Sequence, residues 1–329
     1  MALSFDSSKK QDVVAFGRAT IDLYANEIGP LENAATFSKY VGGSPANTAV
    51  AMARLGLNVG YIGKVSDDGF GRYIISYLAK NHIDVSHIAT AQSGVRSGVT
   101  IGEILPDACH CFVYRTGCAD LQISCAQLDE AYIASHKMLL ISGTSLSHSP
   151  AREAVFLAIE YAKRNNTRVC IDLDYRDETW DNPDETAVYF SLAAEKSDFV
   201  IGTREEFNYL ERLSHPGNKD NDKSAQWLLE KGVKLVSIKE GKKGSFVYDG
   251  KEKYHGGIYP TKVLKSFGAG DSYSGAFNWS LIHGKPIPEA LKYAAAASSI
   301  TITGHSCSDA MPTKEQVEKY IDSHQYVIQ

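Results

Sequence analysis

The sequence of 329 residues lacks the features that mark membrane, secreted and nucleic-acid-binding proteins. No apolar run approaches the roughly 18–20 residues that a membrane helix requires, and residues Met1 to Gln11 lack the apolar stretch of a signal peptide. Neither charge dominates, since 34 Lys and Arg face 39 Asp and Glu, which gives a net charge of −5. A protein that binds nucleic acid by neutralising phosphates needs the opposite sign. We therefore expect a cytoplasmic protein that acts on small molecules, with neither nucleic acid nor a membrane as partner.

Cysteine is scarce as well, with six residues, and its spacing does not indicate a metal site. Four cysteines lie between positions 109 and 125 in the pattern C-x-C-x6-C-x6-C, which lacks the paired C-x2-C of a tetrahedral zinc site. Cys109 and Cys111 fall on one face of a predicted strand, where thiols pack as small apolar side chains. A cytosolic setting also argues against disulfides. We therefore expect free thiols and no zinc.

Short β-branched runs alternate with longer helical stretches, which is typical of βαβ units around a largely parallel sheet. The length suggests one large α/β domain or two smaller ones. The apolar runs predict strands at Val13–Gly17, Val59–Gly63, Met138–Ser142, Arg168–Asp172, Phe199–Gly202, Leu235–Lys239 and Ser245–Tyr248. The helical pattern predicts helices at Ser44–Leu55, Gly71–Asn81, Pro150–Arg164, Glu205–Leu213, Lys223–Lys231, Asp271–Ile282 and Ile287–Thr303.

Two segments interrupt this alternation. Residues 18–43 predict a pair of strands with no helix between them. Residues 96–117 predict a hairpin with strands Gly98–Leu105 and Cys111–Arg115 and a turn at Pro106–Asp107. The two insertions either form a small second sheet over the ligand edge of the main sheet or decorate its periphery.

The stretch Ser266-Phe267-Gly268-Ala269-Gly270-Asp271 carries the most chemical information, because residues without bulky side chains lead directly into a helical pattern. Such a loop can direct successive backbone N–H groups to one point at the positive end of a helix, which makes an anion hole. Asp271 beside it could accept a proton from a hydroxyl while the amides stabilise a transferring phosphoryl group. Alternatively, Asp271 only caps the helix and the glycines only form a tight turn.

The stretch Gly42-Gly43-Ser44-Pro45-Ala46-Asn47 predicts a close approach of the backbone to a ligand at the start of a helix. Asn47 offers both a donor and an acceptor, which suits sugar hydroxyls, although it could also be a satisfied polar group in a core helix. Neither glycine stretch is a G-x4-G-K-[ST] loop, and no strand carries G-x-G-x-x-G before an acidic residue. The second absence argues against a dinucleotide-dependent oxidoreductase.

The order and separation of these stretches, with a Gly63-x5-Gly69-x-Gly71 turn between them, resemble those of the PfkB family of ribokinase-like carbohydrate kinases across nearly the whole chain. The resemblance implies a single kinase domain over residues 1–329, in which a doubly wound, mostly parallel sheet flanked by helices carries a small β-sheet lid. The lid would come from the insertions at about 18–43 and 96–117, and such lids often pair into homodimers.

The resemblance also implies a reaction, the transfer of the γ-phosphoryl group of ATP to a sugar or nucleoside hydroxyl. Asp271 would be the catalytic base, and the amides of Gly268, Ala269 and Gly270 would form the anion hole. The substrate hydroxyls would be held by Asp22, Gly42, Gly43 and Asn47.

ATP and Mg2+ are the cofactors that the resemblance implies. Lys239-x-Gly241-x-x-Gly244 resembles the turn that flanks the nucleotide phosphates in the family. Glu206 matches the acid of the family's Asn-x-x-Glu motif at the Mg–ATP site, with contact to the metal through water, whereas Thr203 replaces the Asn. Alternatively, Glu205 and Glu206 are solvated acids in the first turn of a helix, where the dipole favours them.

Residues 17–24, 172–176 and 265–267 resemble more closely the family members that act on a sugar acid. Many relatives carry an acid directly after the first glycine, where this chain has Arg18, and the arginine fork matches a carboxylate. Arg18, Arg96 and Arg176 are therefore candidates to bind the substrate carboxylate, or each forms a surface salt bridge. Another sugar acid or fructose remains an alternative substrate, and a non-catalytic sugar sensor is disfavoured by the intact Gly-Ala-Gly-Asp.

Lys265 stands six residues before Asp271, where many relatives have an Asp that helps to bind K+. An ammonium has three donors and no acceptor, so Lys265 cannot ligate a cation. Either its own charge lies where the ion would have been, or the side chain points to solvent and the site is absent. Both alternatives predict weak activation by K+ or none.

Overall fold

The computed structural model describes residues 3–105 and 110–328 of the chain. In these residues the strands are, in chain order, β1 (Gln11–Phe16), β2 (Thr20–Ile28), β3 (Phe37–Gly42), β4 (Val59–Val65), β5 (Asp84–Thr90), β6 (Val99–Ile104), β7 (Cys111–Tyr114), β8 (His136–Ser142), β9 (Arg168–Asp172), β10 (Phe199–Thr203), β11 (Leu235–Lys239), β12 (Ser245–Tyr248) and β13 (Lys253–Gly256). The α-helices are α1 (Ser44–Arg54), α2 (Gly69–Lys80), α3 (Glu130–Ala134), α4 (Ala151–Arg164), α5 (Pro183–Glu195), α6 (Arg204–Leu210), α7 (Asn221–Glu230), α8 (Ala269–Ile282), α9 (Ile287–Thr301) and α10 (Lys314–Ser323).

A nine-stranded sheet with the order β13-β12-β11-β10-β9-β8-β1-β4-β5 forms the centre of the molecule. The strands from β11 to β5 run parallel, and β12 and β13 are added antiparallel at one edge. Val13 on β1 lies opposite Val59 on β4 and Met138 on β8. The predicted doubly wound, mostly parallel sheet is therefore confirmed.

Strand β1 shows why both faces of this sheet are covered. Val13 and Ala15 belong to one buried apolar cluster, and Val14 and Phe16 belong to the cluster on the opposite face. Successive side chains of a strand point to opposite faces, so a continuous apolar run requires helices on both sides. Helices α1, α8 and α9 supply the first cluster, and α4, α5, α6 and α7 supply the second.

A second sheet has four strands in the order β3-β2-β6-β7 and comes from the two insertions, as predicted. Within it β2 pairs antiparallel with β3 and parallel with β6, and β7 completes the hairpin with β6. The ring of Tyr24 on β2 stacks on Phe267 with 5.9 Å between centroids, so this sheet covers the glycine-rich loop. The alternative of peripheral decoration is wrong. The predicted turn at Pro106–Asp107 and the position of Cys109 lie outside the described residues.

The described residues bear on two expectations, free thiols and the lack of a membrane-spanning helix. The cysteines in this part of the chain are free thiols, namely Cys111, Cys118, Cys125, Cys170 and Cys307. No helix found there has the length and apolar character to cross a membrane.

Candidate active site

The glycine-rich loop lies at the amino end of α8, a helix of fourteen residues. Gly268 occupies the N-cap with φ +80°, a left-handed conformation that glycine adopts without strain. A Cβ at Gly268 would lie 3.0 Å from Cβ of Cys307, so the loop also needs glycine for packing. Among the described residues no side chain caps the helix, so N–H groups of its first turn can donate to an anion; that of Ala269 also lies 3.4 Å from the Ser266 carbonyl oxygen.

Asp271 lies in the first turn of α8 and is half-buried. Because Gly268 is the N-cap and no side-chain cap is present, the interpretation of Asp271 as the helix cap is wrong. Asn47 of α1 donates from Nδ2 to Asp271 Oδ2 at 2.8 Å, which brings the two predicted motifs together. Burial raises the pKa of Asp271, and the nearby Asp174 charge adds to this effect. A carboxylate with a raised pKa beside free helix amides is suited to act as a base.

The Gly42-Gly43 turn is shaped around a second carboxylate. A Cβ on Gly42 would overlap the Asp22 carboxylate, so the absence of a side chain there makes room for Asp22. Asp22 is buried, accepts from the Tyr24 hydroxyl at 2.6 Å, and has a pKa raised by that burial. Asn47 Oδ1 is buried with no hydrogen-bond partner among the described residues, so an acceptor is available beside Asp22 and Asp271. That these groups hold the substrate hydroxyls stays a prediction.

Lys239, at the end of β11, reaches the glycine-rich loop from the other side. A Cβ built on Gly270 would lie 3.3 Å from Lys239 Nζ, and the same nitrogen is 3.5 Å from Asp172 Oδ1. Burial lowers the pKa of Lys239, but the nearby acids Asp172, Glu206 and Asp271 together outweigh burial and raise it, so the side chain stays charged. A cation beside an anion hole fits the predicted phosphate contact.

Of the two glycines that follow Lys239, only Gly244 has a packing role in the structure. Both have positive φ, but a Cβ on Gly244 would overlap the Gly256 carbonyl, whereas Gly241 faces open space. Their amides lie in the turn between β11 and β12, close to Lys239 in sequence. A role for Gly241 at the nucleotide stays a prediction.

Asp172 was not among the predicted site residues, although the sequence places it at the carboxyl end of a buried parallel strand. Residues at that edge of an open α/β sheet commonly meet the ligand, which is the signal that could have identified it. Ser274 of α8 donates to Asp172 Oδ2, and burial raises the pKa of Asp172 to about 6. Asp172 therefore links β9, β11 and α8 directly beneath the anion hole.

Glu206 is buried and not solvated as the alternative interpretation supposed, whereas Glu205 is exposed. Glu206 Oε2 accepts from the Thr203 backbone N–H at 2.6 Å, and Glu206 Oε1 accepts from the Tyr175 backbone N–H at 3.0 Å. The described residues contain no group of three or more His, Cys, Asp or Glu side chains that could hold a metal ion. Nucleotide-bound Mg2+ keeps several waters and needs few protein ligands, so the site fits Mg2+ held chiefly by phosphates.

The three candidate arginines occupy different places. Arg18 Nη2 and Arg176 Nη2 approach opposite oxygens of one carboxylate, Asp174, at 3.1 and 2.7 Å. Arg18 is buried, so its pair is not a surface salt bridge. Arg96 is exposed and lies near Asp68 at the start of α2, and no ion pair joins it to Asp174. The structure therefore brings together two of the three candidates.

Lys265 is 1 % exposed, so the alternative in which it points to solvent is wrong. Its Nζ donates to the carbonyl of Phe267 at 2.7 Å and lies 3.7 Å from Sγ of Cys307. The Tyr24 hydroxyl lies 3.0 Å from the same sulfur and donates to Asp22. This buried chain of groups connects the glycine-rich loop with the lid, and no local sequence pattern indicated the part that Tyr24 and Cys307 play in it.

Comparisons with known proteins agree with this arrangement. A family model described as pfkB family carbohydrate kinase matches residues 10–314. The chain is 50% identical over 325 residues to a 5-dehydro-2-deoxygluconokinase of Geobacillus kaustophilus, which covers 98% of this chain and 97% of that protein. It is 48% identical over 326 residues to the protein of the same name from Bacillus subtilis, with 98% and 99% covered. A crystal structure described as a ribokinase II from E. coli, in complex with ATP and Mg2+, superposes with a TM-score of 0.87 at 26% identity, covering 95% of this chain and 100% of that chain.

Proposed function

Because the chain belongs to the pfkB family of carbohydrate kinases, we propose that it transfers the γ-phosphoryl group of ATP to the 6-hydroxyl of 5-dehydro-2-deoxygluconate, a step of myo-inositol breakdown. The substrate follows from relatives at about half identity over nearly the full length of both chains. The observation that carries the reaction is Asp271, held by Asn47 at the open amino end of α8. The similarity to these relatives and the position of Asp271 together fit a sugar-acid kinase.

In the proposed phosphoryl transfer each step is assigned to residues of the site. The substrate hydroxyl approaches Asp271, which accepts its proton as the oxygen attacks the γ-phosphorus of ATP and the bond to the β-phosphate oxygen breaks. The amides of Gly268, Ala269 and Gly270 and the Lys239 ammonium stabilise the negative charge of the transferring group. The products are the 6-phosphate and ADP, and the proton passes from Asp271 to solvent.

Magnesium, when bound with ATP, neutralises phosphate charge, and Glu206 is the acid that would contact it through water. Both Glu206 oxygens already accept backbone N–H groups, which leaves only their remaining lone pairs for such water molecules. On the substrate side, Asp22, Asn47 and the Gly42-Gly43 turn hold the sugar hydroxyls. Closure of the lid sheet over Phe267 would exclude water from the transfer.

Three further expectations stay proposals. The lid carries exposed apolar side chains on its strands, among them Ile28, Phe37, Phe112 and Tyr114, which supports a homodimer formed through the lid. A cytoplasmic location is proposed because the reaction consumes ATP. The division of the chain into one kinase domain with a lid built from residues 18–43 and 96–117 is proposed because strands β2, β3, β6 and β7 form a separate sheet.

The substrate is tested by measuring ADP release with a panel of sugars. We expect turnover only when a sugar acid is added, with the highest kcat/KM for 5-dehydro-2-deoxygluconate. A higher value with 2-dehydro-3-deoxygluconate or with fructose would replace the substrate by that sugar. Sugar binding without turnover of any member of the panel would favour the non-catalytic sensor.

Replacement of Arg18 or Arg176 by Ala is expected to raise KM for the acid about tenfold or more, because a charged hydrogen bond contributes about 1.5–3 kcal/mol. KM for ATP should change little, since the Lys239 ammonium and the amides of the glycine-rich loop, which are assigned to the phosphates, are unchanged in both variants. Arg96→Ala serves as the matched control and should leave both values near those of the native protein. Normal binding of the acid by both the Arg18 and the Arg176 variant would contradict the assignment.

A further inference from the structure

The Asp174 carboxylate is the point at which the two buried-site arginines converge. Its Oδ1 forms an ion pair with Arg176 Nη2 at 2.7 Å, and its Oδ2 accepts from Arg18 at 3.1 Å and from the Ser142 hydroxyl at 3.0 Å. Its backbone has φ +37°, in the left-handed region that residues with side chains rarely adopt. Such a conformation persists where the surroundings demand it, and here the three donors fix the carboxylate.

This arrangement leaves binding capacity unused on the arginines. Among the described residues Asp174 is the only acid that forms an ion pair with either guanidinium group, so one direct negative charge faces two positive ones. Nε of Arg18 is buried and has no hydrogen-bond partner among the described residues, and Arg18 as a whole is 4 % exposed. A buried donor without an acceptor is costly, and a bound ligand that supplies the acceptor removes that cost.

The surrounding charges indicate which end of the substrate this pair would meet. Burial raises the pKa of Asp22 and that of Asp271, and the positive charges of Arg18 and Arg176 respectively oppose this rise. The pair therefore lies within electrostatic reach of both carboxyl groups. The carboxylate of the bound acid, at the opposite end of the carbon chain from the 6-hydroxyl that meets Asp271, would be repelled by Asp22 unless cations faced it. Gly43 packs closely against Arg18, because a Cβ there would lie 2.6 Å from the Arg18 carbonyl oxygen and 3.3 Å from Arg18 Cγ.

We propose that Asp174 is a positioning residue that aims Arg18 and Arg176 at the carboxylate of the sugar acid. It does not touch the substrate and acts only through the two guanidinium groups. The inference rests on the proposed function, because it presupposes an acidic substrate. The other anion that the same pair could meet is a nucleotide phosphate, and the experiment separates the two.

The variant Asp174→Asn keeps the size of the side chain and removes its charge. We expect KM for 5-dehydro-2-deoxygluconate to rise about tenfold, as for the loss of one charged hydrogen bond, with KM for ATP within twofold of the native value. The native preference for the acid over its uncharged methyl ester should shrink by a similar factor. The control is Glu178→Gln, which removes an exposed charge from the same loop and should change neither KM.

A double-mutant comparison tests whether Asp174 acts through the arginines. In the Arg18→Ala, Arg176→Ala background, Asp174→Asn should add less than a twofold further increase in KM for the acid. Additive effects, an unchanged KM for the acid, or an equal rise in KM for ATP would each overturn the proposal, the last by assigning the pair to the nucleotide.

Two measurements keep this test decisive. If Asp174→Asn does not fold, Ser142→Ala removes one of the three donors without removing a charge, and it should raise KM for the acid about threefold. An unchanged KM in that variant would also overturn the proposal. The native protein is assayed first, because a failure to turn over the acid at all refutes the proposed function, whereas normal native turnover with an unchanged KM in the variants refutes only the role of Asp174.

Discussion

Replacement of Asp271 by Asn is expected to lower kcat by about 10²-fold or more, the usual scale for loss of a general base. The amide keeps an oxygen that can accept from Asn47 Nδ2, so the contact between α1 and α8 can persist. Because no side chain caps α8, the variant removes no cap. The measurement is steady-state turnover with saturating acid and ATP, together with a thermal unfolding curve.

The sign of the stability change distinguishes a base from a structural acid. Burial raises the pKa of Asp271 in the folded protein, so ionisation costs folding free energy as pH rises through that value. The Asn variant avoids this cost and should be at least as stable as the native protein at neutral pH. The acid limb of the native kcat/KM profile should lie above the ordinary carboxyl range and be absent from the profile of the variant.

Glu289→Gln is a matched control, because Glu289 is an acid in the first turn of the neighbouring helix α9. Its activity should stay near the native value. A native-like kcat in Asp271→Asn, or an equal loss in both variants, would contradict the assignment of the base.

The sequence was sufficient to predict those parts of the site that lie in short contiguous motifs. The glycine-rich loop, Asp271, the Gly42-Gly43 turn and Asn47 each signal their role through neighbours within a few positions. The predicted strands of the main sheet were found because a parallel strand buried on both faces is a continuous apolar run. Strand β5 was not predicted, since it lies at the sheet edge and most of its side chains are only half-buried.

Three helices, α3, α5 and α10, were missed, and the start signals of the two longer ones are present in the sequence. Asn182 accepts from the Asp184 N–H, and Pro183 follows it at the first position of α5. Thr313 and Gln316 form a capping box at the start of α10. Both patterns are recognised signals for the start of a helix, so these helices could have been predicted from the sequence.

Side-chain partners far apart in the chain could not be predicted in this way. Arg18 and Asp174 are separated by 156 positions, and their pairing depends on the adjacent ends of β1, β8 and β9. A single lysine gives no sign in the sequence of being buried, and Lys265 is enclosed where Cys307, 42 positions away, lies against its ammonium. Tertiary packing decides such contacts.

Lys265→Ala is expected to lower kcat about 10- to 100-fold, because its charged hydrogen bond to the Phe267 carbonyl contributes about 1.5–3 kcal/mol. Burial raises the pKa of the neighbouring Cys307 thiol to about 12, so no thiolate cancels the ammonium charge at neutral pH. That charge therefore adds to the positive end of α8 and supports the anion hole. Lys262→Ala, an exposed lysine three positions earlier, is the control and should be near native.

The decisive arm of this experiment is the response to small cations. The native protein should turn over equally in KCl and in tetramethylammonium chloride, because Lys265 supplies the charge in place of an ion. In Lys265→Ala the vacated space can admit ammonium or methylammonium, so either should restore part of the activity, whereas Lys265→Met fills that space and should not respond. Strong activation of the native protein by K+ would contradict a built-in cation. Native-like turnover of folded Lys265→Ala in tetramethylammonium chloride would do the same, since the loop would then work without any cation at this position.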